Sequence, residues 1–297
     1  MSYIFTTADE RINFIRIKTA RAYEHIQDVE KRIKSFLDSE PYKVGARPDP
    51  RFPNTVPKQL MQHYVASAKP ITTDIPLVAG EALLQMRSAL DHLAWNLVEI
   101  GCAKQSITLT TTEQKQIGFP IIDTDSPTEY EASRKRKVKG MTQAAIDAID
   151  ATKPYKGGND CLWRLNQLNN IDKHRFIVFA GAQLANIGIP RALKRAMLGT
   201  VVEKKGIKVP PNVDLGRATL NLNIVPDRQF RKCPLEEGDE LISGFSSFLE
   251  QDEELDFTFE IVFNEPGVVE CEPMLPLLVQ TLKYVNNLIL SFKPLLI

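Results

Sequence analysis

Apolar positions recur at helical spacing over four separate stretches, and each stretch predicts a long helix. In the first, Ile12, Ile15, Ala22 or Tyr23, Ile26, Val29, Ile33 and Phe36 or Leu37 approximate one face, with Thr19 a small polar break. It opens near Thr7, where Glu10 three residues on completes the form of a capping box, and Pro41 ends it. At roughly 30 residues it would be about 45 Å long. The second runs from about Leu77 to Ile100 and stops at Gly101. Leu83, Met86, Leu90, Leu93, Ala94 and Leu97 form one face, and Leu84, Ser88, His92 and Trp95 form a mixed one, which predicts burial on both sides. The third opens at Asn159 or Asp160 and carries Cys161, Leu165, Leu168 and Asp172 at helical spacing. The fourth, about Leu275 to Phe292, has its stripe at Leu278, Leu282, Val285, Ile289 and Phe292.

Between and after these stretches the pattern changes. Pro48, Pro50, Pro53 and Pro57 predict a loop or extended arm from Tyr42 to Lys58, and Leu60–Ala68 reads as a strand. Residues 102–140 are irregular, with a short β-branched strand at Ile107–Thr111 and a buried extended segment at Phe119–Ile122. A short helix follows over Thr142–Ala151. After His174, Phe176–Phe179, Leu220–Val225, Glu240–Ser243 and Phe257–Phe263 are short, apolar or alternating, and bounded by turn residues. The expected fold class is α+β: a bundle of about four long helices, with a mostly antiparallel β region inserted before the C-terminal helix. The expected division is a helical bundle over 1–175 with an irregular insert at 102–140, a β region over 176–272, and a helix over 273–297 that returns to the bundle.

Composition narrows the function classes. The 297 residues are 43% hydrophobic and 25% charged, an ordinary globular balance. Lys plus Arg equals Asp plus Glu at 37 each, so any attraction to nucleic acid or anionic membrane must come from a local patch. Cys102, Cys161, Cys233 and Cys271 form no Cys-x-x-Cys motif and read as reduced thiols of a cytoplasmic protein. The N-terminus lacks the pattern of a signal peptide. The apolar C-terminal segment is interrupted by Gln280, Lys283, Asn286, Asn287 and Lys293, so no membrane association is expected.

Two polar clusters carry the candidate chemistry. Arg87 and His92 stand in an Arg-x4-His pattern on the second helix, pairing a phosphate-gripping fork with a group that titrates near neutrality. At these residues the chain resembles the HEPN superfamily, helical-bundle proteins that include metal-independent ribonucleases. The resemblance implies that Arg87 binds and stabilises a phosphate, that His92 serves as general acid or base, and that two protomers bring their motifs together in a homodimer. Ser88 stands where that family often has Asn, Asp or His directly after the arginine.

Asp172, Lys173, His174 and Arg175 form the second cluster. Asp172 falls on an apolar stripe, where a carboxylate needs a partner, and Arg87 is the first partner to test. On the functional reading Asp172 orients Arg87 or His92, Lys173, His174 and Arg175 contact RNA phosphates, and Arg87, His92, Asp172 and His174 form the catalytic set. The run Arg134, Lys135, Arg136 and Lys137 would add backbone contacts, although such runs are often solvated loops. No cofactor is expected.

Two other readings stay open. In one, Arg87 and Asp91 form an ion pair four residues apart and His92 is a packed histidine, within a non-enzymatic binding or assembly module. In the other, Asp91, His92, Asp172 and His174 serve a metal-assisted hydrolase, although Asp91 and His92 diverge by about 100° on a helix. The leading expectation is RNA binding or metal-independent RNA cleavage.

Overall fold

Thr7 accepts a hydrogen bond from the Glu10 amide at 3.2 Å, and the Glu10 carboxylate takes the Thr6 and Thr7 amides in return. This capping box opens α1 (Ala8–Asp38). The computed structural model describes residues 5–52, 60–175, 180–188, 223–224, 232–246 and 255–297. After α1 come β1 (Tyr42–Pro48), β2 (Leu60–Ala68) and α2 (Asp74–Gln105). Then come four helices: α3 (Thr111–Gln114), α4 (Pro127–Lys137), α5 (Gln143–Ala151) and α6 (Asp160–Arg175). The strands β3 (Ala180–Gly188), β4 (Asn223–Ile224), β5 (Glu240–Ser246), β6 (Asp256–Glu265) and β7 (Val269–Pro273) precede α7 (Met274–Ser291). This is the expected α+β order, with a β region ahead of the last helix. Phe176–Phe179 and most of Leu220–Val225, both expected as strands, lie outside the described residues.

The chain divides into two compact units: 1–34, 72–179 and 263–297 in the first, and 35–71 with 180–262 in the second. Residues 35–71 thus go with the β-rich unit, because β1 pairs with β2 and β2 with β5, all antiparallel. Their sheet order is β1-β2-β5, and a second sheet runs β4-β3-β6-β7. β1 forms in the stretch where prolines predict a loop or an extended arm. Pro48 is the last residue of β1, which among the described residues pairs on one side only, a position where a missing amide donor is tolerated. Leu184, Ile187 and Leu255 centre that unit's apolar core.

The first unit is built around α2, against which α6 and α7 pack. The apolar face of α2 (Leu83, Met86, Leu90, Leu93, Ala94, Leu97) is sealed from solvent, as are Leu278, Val285, Ile289 and Phe292 of the C-terminal stripe. Its second face is half-buried at Ser88, His92 and Trp95 and exposed at Leu84. α2 runs past Gly101 to a left-handed cap at Ser106 (φ 54°). Gly101 is needed for a close approach instead, since a Cβ there would lie 2.2 Å from the Gly140 carbonyl oxygen. No strand forms at Ile107–Thr111. Thr110 and Glu113 make a second capping box that opens α3, and capping wins over β propensity in a segment that pairs with no strand among the described residues. Phe119 and Ile121 are buried in extended chain, as expected. Among the described residues, no helix is long and apolar enough to cross a membrane.

Candidate functional site

Arg87 and Asp91 share one face of α2, four residues apart. Arg87 is only 7% exposed. Its Nε donates to Asn166 Oδ1 of α6 at 3.2 Å, and its Nη2 to the Phe119 carbonyl at 2.8 Å. Nη1 stands 2.9 Å from Asp91 Oδ1, an ion pair by distance. The pair is not aligned as a hydrogen bond, and among the described residues Nη1 has no other acceptor. Burial works against the guanidinium's charge, and Asp91 works for it.

The basic run is the last turn of α4, not a loop. Ser126 caps this helix and Pro127 opens it, both ordinary start signals. The helical period then sorts the run. Tyr130 and Arg134 turn toward α5, where both meet Asp150, Arg134 at 2.9 Å. Ser133, Arg136 and Lys137, at i, i+3 and i+4, line the cleft described next, and Lys135 is exposed.

Arg87, Asp91, Ser133, Arg136 and Lys137, together with the loop Lys115–Gly118 and Ile122, line a cleft of about 520 Å³. The Gly118 amide donates to the Lys137 carbonyl at 3.3 Å, and Lys139 pairs with Glu113, so the loop is tied to the end of α4. Gly118 has to be small, because a Cβ would come within 2.9 Å of Asp91 Oδ1. The lining holds four cationic side chains (Arg87, Lys115, Arg136, Lys137) against the single carboxylate of Asp91. Burial lowers the Lys137 ammonium from its ordinary value; Arg87 and Arg136 lower it further, and Asp91 opposes them. The cleft therefore carries excess positive charge, which an anion would relieve.

His92 is not part of this lining. Five positions beyond Arg87 it has turned through about 140°, and its ring meets Phe14 of α1 edge-on at 5.7 Å. Burial, with Lys18 nearby, holds its pKa below the ordinary value, opposed by Asp91. The expected meeting of Arg87 with Asp172 does not occur either. Asp172 packs on Gly80, where a Cβ would stand 2.2 Å from Oδ1. Among the described residues that buried oxygen has no hydrogen-bond partner. Burial and the neighbouring Glu81 raise the Asp172 pKa, and Lys173 opposes them. Lys173 is exposed. His174 and Arg175 close α6, and their side chains lie outside the described residues. His25, which has no catalytic context in the sequence, stands 3.2 Å from Glu81.

The Asp172 arrangement sets a pH-dependent expectation. With its folded pKa raised, the folded state holds the proton more readily than the unfolded state, so deprotonation disfavours folding. Asp172→Asn should raise stability at pH 7, and the gain should fade as pH drops and vanish below the ordinary carboxylate value of 3.8. Urea unfolding across pH checks this, and equal stability of the two proteins at pH 7 would contradict it.

Among the described residues, no three His, Cys, Asp or Glu side chains are arranged to hold a metal ion. Cys102 and Cys161 are free thiols. Cys233 and Cys271 are disulfide-bonded, which corrects the expectation of four reduced cysteines. Thiol titration of the unfolded, unreduced chain should count two thiols and, after reduction, all 4. Four before reduction would remove the disulfide.

Sequence reasoning passed over Lys115, Gly118 and Ser133 as site residues. For Ser133 the signal was present, in its spacing from Arg136 and Lys137; for the loop residues there was none. No family model matches the chain, and neither does any curated protein or solved structure.

Proposed function

We propose that the helical unit binds RNA through its phosphates, at the cleft between α2, the 115–118 loop and the end of α4. The observation that carries this reading is the lining itself: four cations around one carboxylate, with a buried arginine at the base. Guanidinium and ammonium groups at close quarters suit phosphate oxygens, and such binding is salt-dependent. This keeps the phosphate-binding half of the HEPN-like reading. The cleaving half requires His92 at the same phosphate, and His92 lies against Phe14. Cleavage would therefore need His92 from a second copy in a homodimer.

The test is fluorescence anisotropy with labelled single-stranded RNA across salt concentrations, alongside incubation with RNA in chelator. Binding that weakens with salt, with the RNA left intact, is the expected result. Cyclic-phosphate ends produced by the wild type and lost in His92→Ala would replace binding with cleavage. A purely structural cluster is favoured by Arg87's three internal contacts, and it predicts no RNA binding at all. A cytoplasmic location accompanies the RNA-binding reading. It no longer draws support from the thiols, since two of the cysteines are disulfide-bonded.

A further inference from the structure

A carboxylate on the wall of a cationic cleft weakens the hold on phosphate unless it contributes something else. Asp91 is such a group. Its Oδ1 is occupied, accepting the Phe119 amide at 3.0 Å and standing 2.9 Å from Arg87 Nη1. Among the described residues none donates a hydrogen bond to Oδ2, and the side chain is 45% exposed on the cleft wall. Beside it, Arg87 Nη1 is a buried donor with no aligned acceptor. A half-exposed carboxylate and, at the base of the same cleft, a buried donor without an aligned acceptor among the described residues thus sit next to each other.

A ligand that completes both presents an oxygen acceptor and a hydroxyl donor on neighbouring atoms. The 2′-hydroxyl and 3′-phosphate of a ribonucleotide, on adjacent carbons of one ring, have that arrangement; a deoxyribonucleotide lacks the donor. We infer that Asp91 accepts the 2′-hydroxyl while Arg87 Nη1 meets the adjoining phosphate, so that the cleft selects RNA over DNA. This rests on the phosphate-binding reading above and names the sugar that the same site accepts.

The test uses the full chain in competition binding against ribo-, deoxyribo- and 2′-O-methyl oligonucleotides of one sequence, run for oligouridine and again for oligoadenosine. The 2′-O-methyl group keeps the oxygen and removes the donated hydrogen. The wild type should prefer the ribo form by about ten-fold, as expected for one hydrogen bond to a charged acceptor. The 2′-O-methyl form should fall to the deoxyribo level. Asp91→Ala should bring ribo and deoxyribo affinities together, with thermal unfolding checking its fold. The 2′-O-methyl arm needs no variant, so it decides the matter even where Asp91→Ala does not fold. Equal binding of ribo and deoxyribo forms by the wild type would overturn sugar reading and leave phosphate binding standing. So would 2′-O-methyl RNA binding as well as unmodified RNA, or a preference that follows the base. Absence of binding to every oligonucleotide would overturn both.

Discussion

Replacing Arg136 and Lys137 together by alanine should weaken single-stranded RNA binding by roughly 25-fold at 0.1 M salt. Each phosphate contact on a single strand contributes a slope of about 0.7 in log affinity against log salt, so losing two flattens the slope by about 1.4. Both residues lie on the cleft-facing side of α4, and neither forms an ion pair within the described residues. Their removal should therefore leave the unfolding midpoint close to that of the wild type. Lys135→Ala, on an exposed part of the same turn, is the matched control. An unchanged salt slope in the double variant would mean that phosphates do not enter this cleft.

Arg87→Ala should have the largest effect on stability, a loss of about 3 kcal/mol. The guanidinium is buried, and its removal leaves the Phe119 carbonyl and Asn166 Oδ1 without their donor. Asp91 is half-exposed and can turn to water, so its share of the loss is small. Arg87→Met refills much of the volume without restoring a donor and should recover only part of the loss. Urea unfolding of the three proteins separates these contributions. An Arg87→Met protein as stable as the wild type would mean that the polar contacts contribute nothing net.

The helices were legible because their signals are local and repeated. The Thr7–Glu10 box and the unbroken stripes needed no knowledge of what packs against them. The Thr110–Glu113 box carried the same signal, but β-branched Ile107 and Thr108 pointed to a strand that finds no pairing partner among the described residues. Gly101 looked like a stop because glycine usually serves there; its reason lies 39 residues on, in the backbone of Gly140. The Arg87–Asp91 pair could be read from spacing alone. Which partner Asp172 meets could not, since helical periodicity gives a face and not the neighbour across it. Lys115 and Gly118 reach the site only through the fold of a loop.

The first unit takes its chain from three separate stretches, and the last supplies α7, which packs on α2 and α6. During synthesis α2 leaves the ribosome long before that cover exists. About 190 residues separate the end of α2 from the end of α7, which at typical elongation rates is a wait of roughly 10–40 s. Through that interval the leucine-rich side of α2 lies open in the nascent chain, so the newly made protein should depend on chaperone protection far more than the finished one does.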